Sequence, residues 1–221
     1  MKAFDLYVFD WDGTLFDSTG AIVEAMQLAA ADLGLPVPSR QAASYVIGLG
    51  LSDALKHAIP DIKPEQVPQL VERYRANYAV RSGQITLFAG VGELIVQLHA
   101  GGRRMAIATG KSRIGLDEAL RQSGLGTYFE ATRCADEGLP KPNPWMLHDL
   151  GLETGVDPSR MLMIGDTTHD LHLARNAGSQ FCGVTYGAHD AQALRDPFAW
   201  RVVDTVADLS TALLNVRTAT V

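Results

Sequence analysis

The sequence predicts an α/β fold: a parallel β-sheet covered on both faces by helices, with an all-helical insertion after the first strand. Three observations carry this reading. Short runs of adjacent, not alternating, apolar residues recur along the chain, as in strands buried on both faces. Helical patterns fall between these runs, the alternation expected of a parallel sheet. Residues 18–84 hold no convincing strand pattern.

Leu6-Tyr7-Val8-Phe9 is the first such run and stops at Asp10. Ala21 to Leu33 is rich in Ala, Leu and Met and follows Ser18 and Thr19, either of which suits an N-cap. Ser39 to Ile47, Ser52 to Ile59 and Pro64 to Val80 read as further helices, separated by Gly48-Leu49-Gly50 and by Pro60. Helices over Gly92 to Ala100 and Gly115 to Ser123 flank the strand Met105-Ala106-Ile107-Ala108. Pro144 to Leu150 precedes the strand Met161-Leu162-Met163-Ile164, and Asp170 to Ala177 precedes Phe181-Cys182-Gly183-Val184. Arg201-Val202-Val203-Asp204 is a weaker strand. This divides the chain into an α/β core of residues 1–17 and 85–221 and a helical insertion of residues 18–84.

The 221 residues are 47% hydrophobic and 20% charged, ordinary for a soluble globular protein. No apolar stretch reaches the ~18 residues that a membrane-spanning helix needs. The net charge of −6 argues against binding nucleic acid or anionic lipid. Six basic and six acidic residues cancel within 18–84, so the acidity belongs to the core. Cys134 and Cys182 lack CxxC spacing and read as small buried hydrophobes. Asp5, Asp10 and Asp12 interrupt any apolar leader. Together these features point to a cytoplasmic protein, monomeric or homodimeric.

The chemistry sits where strands end. The first ends in Asp10-Trp11-Asp12-Gly13-Thr14, the next in Thr109-Gly110, and the Met161 strand in Gly165-Asp166-Thr167-Thr168-His169-Asp170; a loop between carries Lys141-Pro142. In an open parallel sheet the carboxyl ends of the strands form the ligand crevice. Four carboxylates gathered there repel one another unless a cation sits among them. All-oxygen ligands favour Mg²⁺, which is bound by few carboxylates together with a phosphate oxygen. With Lys141 the set suits a phosphoryl group. Asp10 would attack phosphorus, and Asp12 would protonate the leaving oxygen and then deprotonate water. Gly13 and Thr14 would lend an anion nest, and Thr109, with Gly110 beside it, a donor to a non-bridging oxygen.

These four segments resemble the four motifs of the haloacid dehalogenase superfamily, in order and across nearly the whole chain. The helical insertion resembles the mobile cap of its phosphoglycolate phosphatase-like branch. The resemblance implies a Rossmann-like core and Mg²⁺-dependent hydrolysis of a small phosphorylated substrate through an aspartyl-phosphate. It implies metal ligation by Asp10, the backbone carbonyl of Asp12, and Asp166, with Asp170 supporting or ligating. Asp12, which true dehalogenases lack, favours phosphate-ester chemistry. Trp11 stands where a smaller apolar residue is frequent and is expected to pack in the core. Gly110 replaces a frequent Asn, which would loosen one phosphate contact. A phosphomutase of the β-phosphoglucomutase type and a non-catalytic phospho-ligand-binding module are the alternatives.

Other readings of the same residues are weaker. His169 and His172 share HxxH spacing, but no third soft ligand accompanies them, and they read as packing or surface residues. Gly110-Lys111-Ser112 imitates the end of a P-loop, yet Met105 occupies the required glycine position. Lys111 and Gly48-Leu49-Gly50 remain candidates for substrate contact. Arg73 and Arg75 read as a solvated helix face.

Overall fold

The computed structural model describes residues 4–216. Met1 to Ala3, where the N-terminus was read as lacking a leader, and 217–221 of the core segment lie outside the described residues. Six parallel strands form one sheet in the order β3-β2-β1-β4-β5-β6. They are β1 (Leu6–Phe9), β2 (Met105–Thr109), β3 (Ala131–Cys134), β4 (Met161–Gly165), β5 (Gln180–Val184) and β6 (Arg201–Val203). The chain builds outward from β1 in one direction, then returns to add β4 on the other side. The crevice expected at that switch point opens beside the end of β1.

The helices are α1 (Thr19–Asp32), α2 (Arg40–Tyr45), α3 (Leu51–Ala58), α4 (Val67–Ser82), α5 (Val91–Ala100), α6 (Arg113–Ser123), α7 (Trp145–Thr154), α8 (Thr168–Ala177), α9 (Ala191–Leu194) and α10 (Val206–Leu214). Successive strand residues serve opposite faces. Tyr7, Phe9, Ile107, Leu162 and Ile164 pack with Leu94 and Leu98 of α5 and Leu213 of α10. Leu6, Val8, Met161 and Met163 pack with Leu147 and Leu150 of α7 and Leu171 of α8. Burial on both faces explains the unbroken apolar runs, each large side chain contributing about 1.5–3 kcal/mol. Cys134 and Cys182 are buried free thiols in the first of these layers, as expected.

Helices α1 to α4 enclose their own apolar cluster, including Ile22, Met26, Leu55, Ile59 and Leu70. Two chain crossings connect them to the sheet and run side by side: Asp17 N–H donates to the Thr86 carbonyl and Phe88 N–H to the Leu15 carbonyl, each at 3.0 Å. Ser18 stands at the start of α1, but its hydroxyl does not cap the helix; it donates to Asp12 Oδ1 at 2.6 Å, a stronger charge-assisted bond. Of the two expected positions, Ser18 or Thr19, the structure places Ser18 at the N-cap, but without a side-chain cap bond.

One strand escaped the sequence reading. β3 is one of the two sheet edges, and its Thr132 and Arg133 are only half-buried. Arg133 bonds Asp149 and Glu153 of α7. Among the described residues no helix is long and apolar enough to cross a membrane.

Candidate active site

Asp10 ends β1, with its N–H donated to the Ile164 carbonyl of β4 at 2.8 Å. Its carboxylate is buried. Lys141, also fully buried, comes in from the loop before α7 and bonds Asp10 Oδ1 and Asp170 Oδ1, both at 2.7 Å. Asp10 Oδ2 has no hydrogen-bond partner among the described residues. Asp170 completes a capping box at the start of α8: its Oδ2 accepts from the Thr167 hydroxyl at 2.7 Å and the Thr167 N–H at 3.1 Å. Asp166 accepts from the Thr14 hydroxyl at 2.8 Å and the Ala188 N–H at 2.7 Å. It fits because Gly13 (φ +81°) and Gly187 flank it; a Cβ on either would lie 2.2 Å from Asp166 Oδ2.

Carboxylate oxygens of Asp10, Asp166 and Asp170 lie within 4.8 Å of one another. Asp12 does not join them through its side chain. Its carboxylate turns to Ser18 and to Lys111, whose ammonium lies 3.0 Å and 3.2 Å from the two oxygens and 3.3 Å from the Tyr78 hydroxyl. Lys111 thus bridges Asp12 to α4, and Ser112, its neighbour, caps α6. Thr109 is buried, and its oxygen accepts from the Lys111 N–H at 3.2 Å.

Two of the groups expected to lend the anion nest have partners within the protein. Gly13 N–H is committed to the Phe16 carbonyl and Thr14 N–H to the Trp11 carbonyl, while the Thr14 hydroxyl holds Asp166. The N–H groups of Trp11, Asp12 and Gly110 enter none of the loop's hydrogen bonds among the described residues. The Trp11 ring is buried and stacked on Phe16, centroids 5.2 Å apart, as expected of a core residue.

The profile of the haloacid dehalogenase-like hydrolases matches residues 7–184. The chain belongs to this family. It is 35% identical over 210 residues to the Probable phosphatase IndB of Dickeya dadantii (strain 3937), covering 92% of this chain and 91% of that protein. It is 33% identical to the phosphoglycolate phosphatase of Vibrio vulnificus (strain CMCP6), covering 96% and 95%. A hydrolase crystal structure from Pseudomonas syringae superposes with a TM-score of 0.86 at 25% identity, covering 96% of this chain and 99% of that one. The α/β fold and the enzymatic, hydrolytic character read from the motifs are borne out.

The buried cluster of this haloacid dehalogenase-like hydrolase fits a divalent cation. Three carboxylates gather around a single ammonium that bonds only Asp10 and Asp170, and one buried oxygen, Asp10 Oδ2, is unpartnered among the described residues. Burial, followed by repulsion from Asp10 and Asp170, pushes Asp166 well above the usual carboxylate range. Burial also raises Asp10, to about 7, against the pull of Lys141. Burial opposes the charge on Lys141, yet Asp10 and Asp170 hold its pKa above the ordinary lysine range.

At Gly110 the structure leaves no room for a side chain. A Cβ there would lie 2.6 Å from the Gly48 carbonyl oxygen and 2.7 Å from that of Leu49. Backbone of the α2–α3 turn occupies the space a side chain would take. We expect Gly110→Asn to displace that turn and lower kcat/KM at least ~10-fold, a barrier change of about 1.4 kcal/mol. Steady-state kinetics on any turned-over substrate checks this, and an unchanged kcat/KM refutes it.

Two histidines also tie α2 to the sheet side. His169 Nε2 donates to the Tyr45 carbonyl at 2.8 Å, and His189 Nε2 donates to the same oxygen at 2.9 Å. His189 Nδ1 accepts the Thr168 N–H at 3.0 Å, which assigns its proton to Nε2. The Tyr45 ring stacks on His189 at 5.2 Å and 6°. His172 is exposed, in keeping with its reading as a surface residue.

Proposed function

We propose that this hydrolase is a Mg²⁺-dependent phosphatase that cleaves a small phosphorylated metabolite through an aspartyl-phosphate on Asp10. The observation that supports it best is the buried Asp10 carboxylate on the wall of an open cavity, held by Lys141 at one oxygen and unpartnered at the other. Asp10, Asp166 and Asp170, with the Asp12 backbone carbonyl, would hold Mg²⁺, which when bound offsets the charge of the phosphoryl oxygens.

An Asp10 oxygen bonds to phosphorus as the bond to the leaving oxygen breaks. Asp12 gives that oxygen its proton and an alcohol departs. Water then bonds to phosphorus, Asp12 takes its proton, and inorganic phosphate leaves as the bond to Asp10 breaks. The unengaged N–H groups of Trp11, Asp12 and Gly110, the Thr109 hydroxyl and the third N–H of Lys141 would bind the non-bridging oxygens. Residues 18–84 would act as a cap over a core of 1–17 and 85–221, excluding water while Lys111 and Ser18 orient Asp12.

The test is phosphate release from 4-nitrophenyl phosphate with Mg²⁺, abolished by EDTA. Asp12→Asn should slow it at least ~100-fold while the protein still gains heat stability from Mg²⁺. Full turnover of Asp12→Asn would remove its acid–base role.

Metal and pH should act together on stability. Asp10 and Asp166 have folded pKa values above their unfolded ones. Their contribution is present in full below the unfolded value of 3.8 and is lost as pH rises, for Asp10 through about 7. The metal-free melting temperature should therefore fall between pH 5 and pH 8, and the gain from Mg²⁺ should be larger at pH 8. Scanning calorimetry with and without Mg²⁺ reads both, and a gain that shrinks toward pH 8 contradicts the assignment.

A further inference from the structure

The space in front of Asp10 is far larger than the phosphate site. A cavity of about 770 Å³ extends from Asp10, Asp12 and Thr109 to helices α1 and α4 and the α2–α3 turn. A phosphate on a two-carbon acid takes the room of roughly five waters, about 150 Å³ at ~30 Å³ each. Most of the cavity is left to the rest of the substrate, within the range usual for ligands of substantial size.

The part of its wall formed by the helical segment is mostly apolar: Ile22, Met26, Leu49 and Val71 face it, together with Tyr74 and Tyr78. The two tyrosine rings are stacked, centroids 5.9 Å apart at 15°. The Tyr78 hydroxyl accepts from Lys111. The Tyr74 hydroxyl has no hydrogen-bond partner among the described residues, and burial keeps it protonated. A flat aromatic wall with one unpaired hydroxyl suits a planar ring carrying a polar atom.

The charges on the walls argue against a second anion on the substrate. The basic residues lining the cavity are Lys111 and Arg75. Lys111 is committed to both Asp12 oxygens, and Arg75 is exposed. Acidic Asp53, Glu118 and Asp136 border the same space, and Lys56 and Arg121 are already bonded to the first two. A carboxylate or second phosphate on the leaving group would be desolvated there without a free buried cation.

We propose that the substrate is the phosphomonoester of a sizeable uncharged alcohol bearing an aromatic or heteroaromatic ring, which seats against Tyr74 and Tyr78. This rests on the phosphatase reading above and narrows its substrate class.

The experiment compares 2-phenylethyl phosphate, ethyl phosphate and 2-phosphoglycolate with Mg²⁺, all alkyl esters, so that the intrinsic lability of an aryl ester does not decide the outcome. We expect kcat/KM for the phenylethyl ester to exceed both others at least ~10-fold, the lower end of what even one methylene gains in a hydrophobic pocket. Tyr74→Leu should reduce that preference to less than ~3-fold. Val71→Trp, which fills the cavity, should do the same and serves if Tyr74→Leu does not fold. Parity among the three esters, preference for phosphoglycolate, or variants that keep the full preference overturns the proposal and leaves the phosphatase reading standing. No phosphate from any ester overturns both.

Discussion

Asp10→Asn is expected to lose turnover by ~10⁴-fold or more, because the amide cannot form the covalent intermediate. The same variant should melt no lower than the wild type in metal-free buffer at pH 8. Asn keeps an oxygen for Lys141. It also removes a carboxylate that burial and the neighbouring Asp170 disfavour, against the pull of Lys141. Phosphate release and the melting temperature together decide the matter. Turnover near wild type moves the nucleophile elsewhere; a lower melting temperature contradicts the reading of the cluster as like-charged and under-compensated.

Lys141→Met is expected to have the largest effect on folding. The lysine side chain is fully buried between Asp10 and Asp170. Its loss leaves two buried carboxylates without their cation, a break that costs about 3–5 kcal/mol. The loss should show in urea unfolding at pH 8 and shrink at pH 5.5, where Asp10, already raised to about 7, takes up a proton. Added Mg²⁺ should recover part of it. Unaltered stability at pH 8 would mean that the three acids do not depend on Lys141.

The two-sided strands were legible because burial on both faces leaves unbroken apolar runs, as in β1 and β4. The edge strand β3 was not, since Thr132 and Arg133 meet polar partners from α6 and α7 rather than a core. Asp10, Asp166 and Asp170 were legible as acids at strand ends. The partner of Asp12 was not: Lys111 lies 99 residues away and reaches it only through the fold. The commitment of the Gly13 N–H to Phe16 was not legible either, because the direction of each N–H depends on the turn that the positive φ of Gly13 sets. His189 belongs to no local pattern; its role arises only where the loop after β5 meets α2.

The Tyr45 carbonyl has a mechanical consequence. One oxygen receives two imidazole N–H groups, and the ring of the same residue rests on one of them. Displacing that carbonyl would therefore strain both bonds together. A movement of α2 of this kind would have to break both bonds in one step.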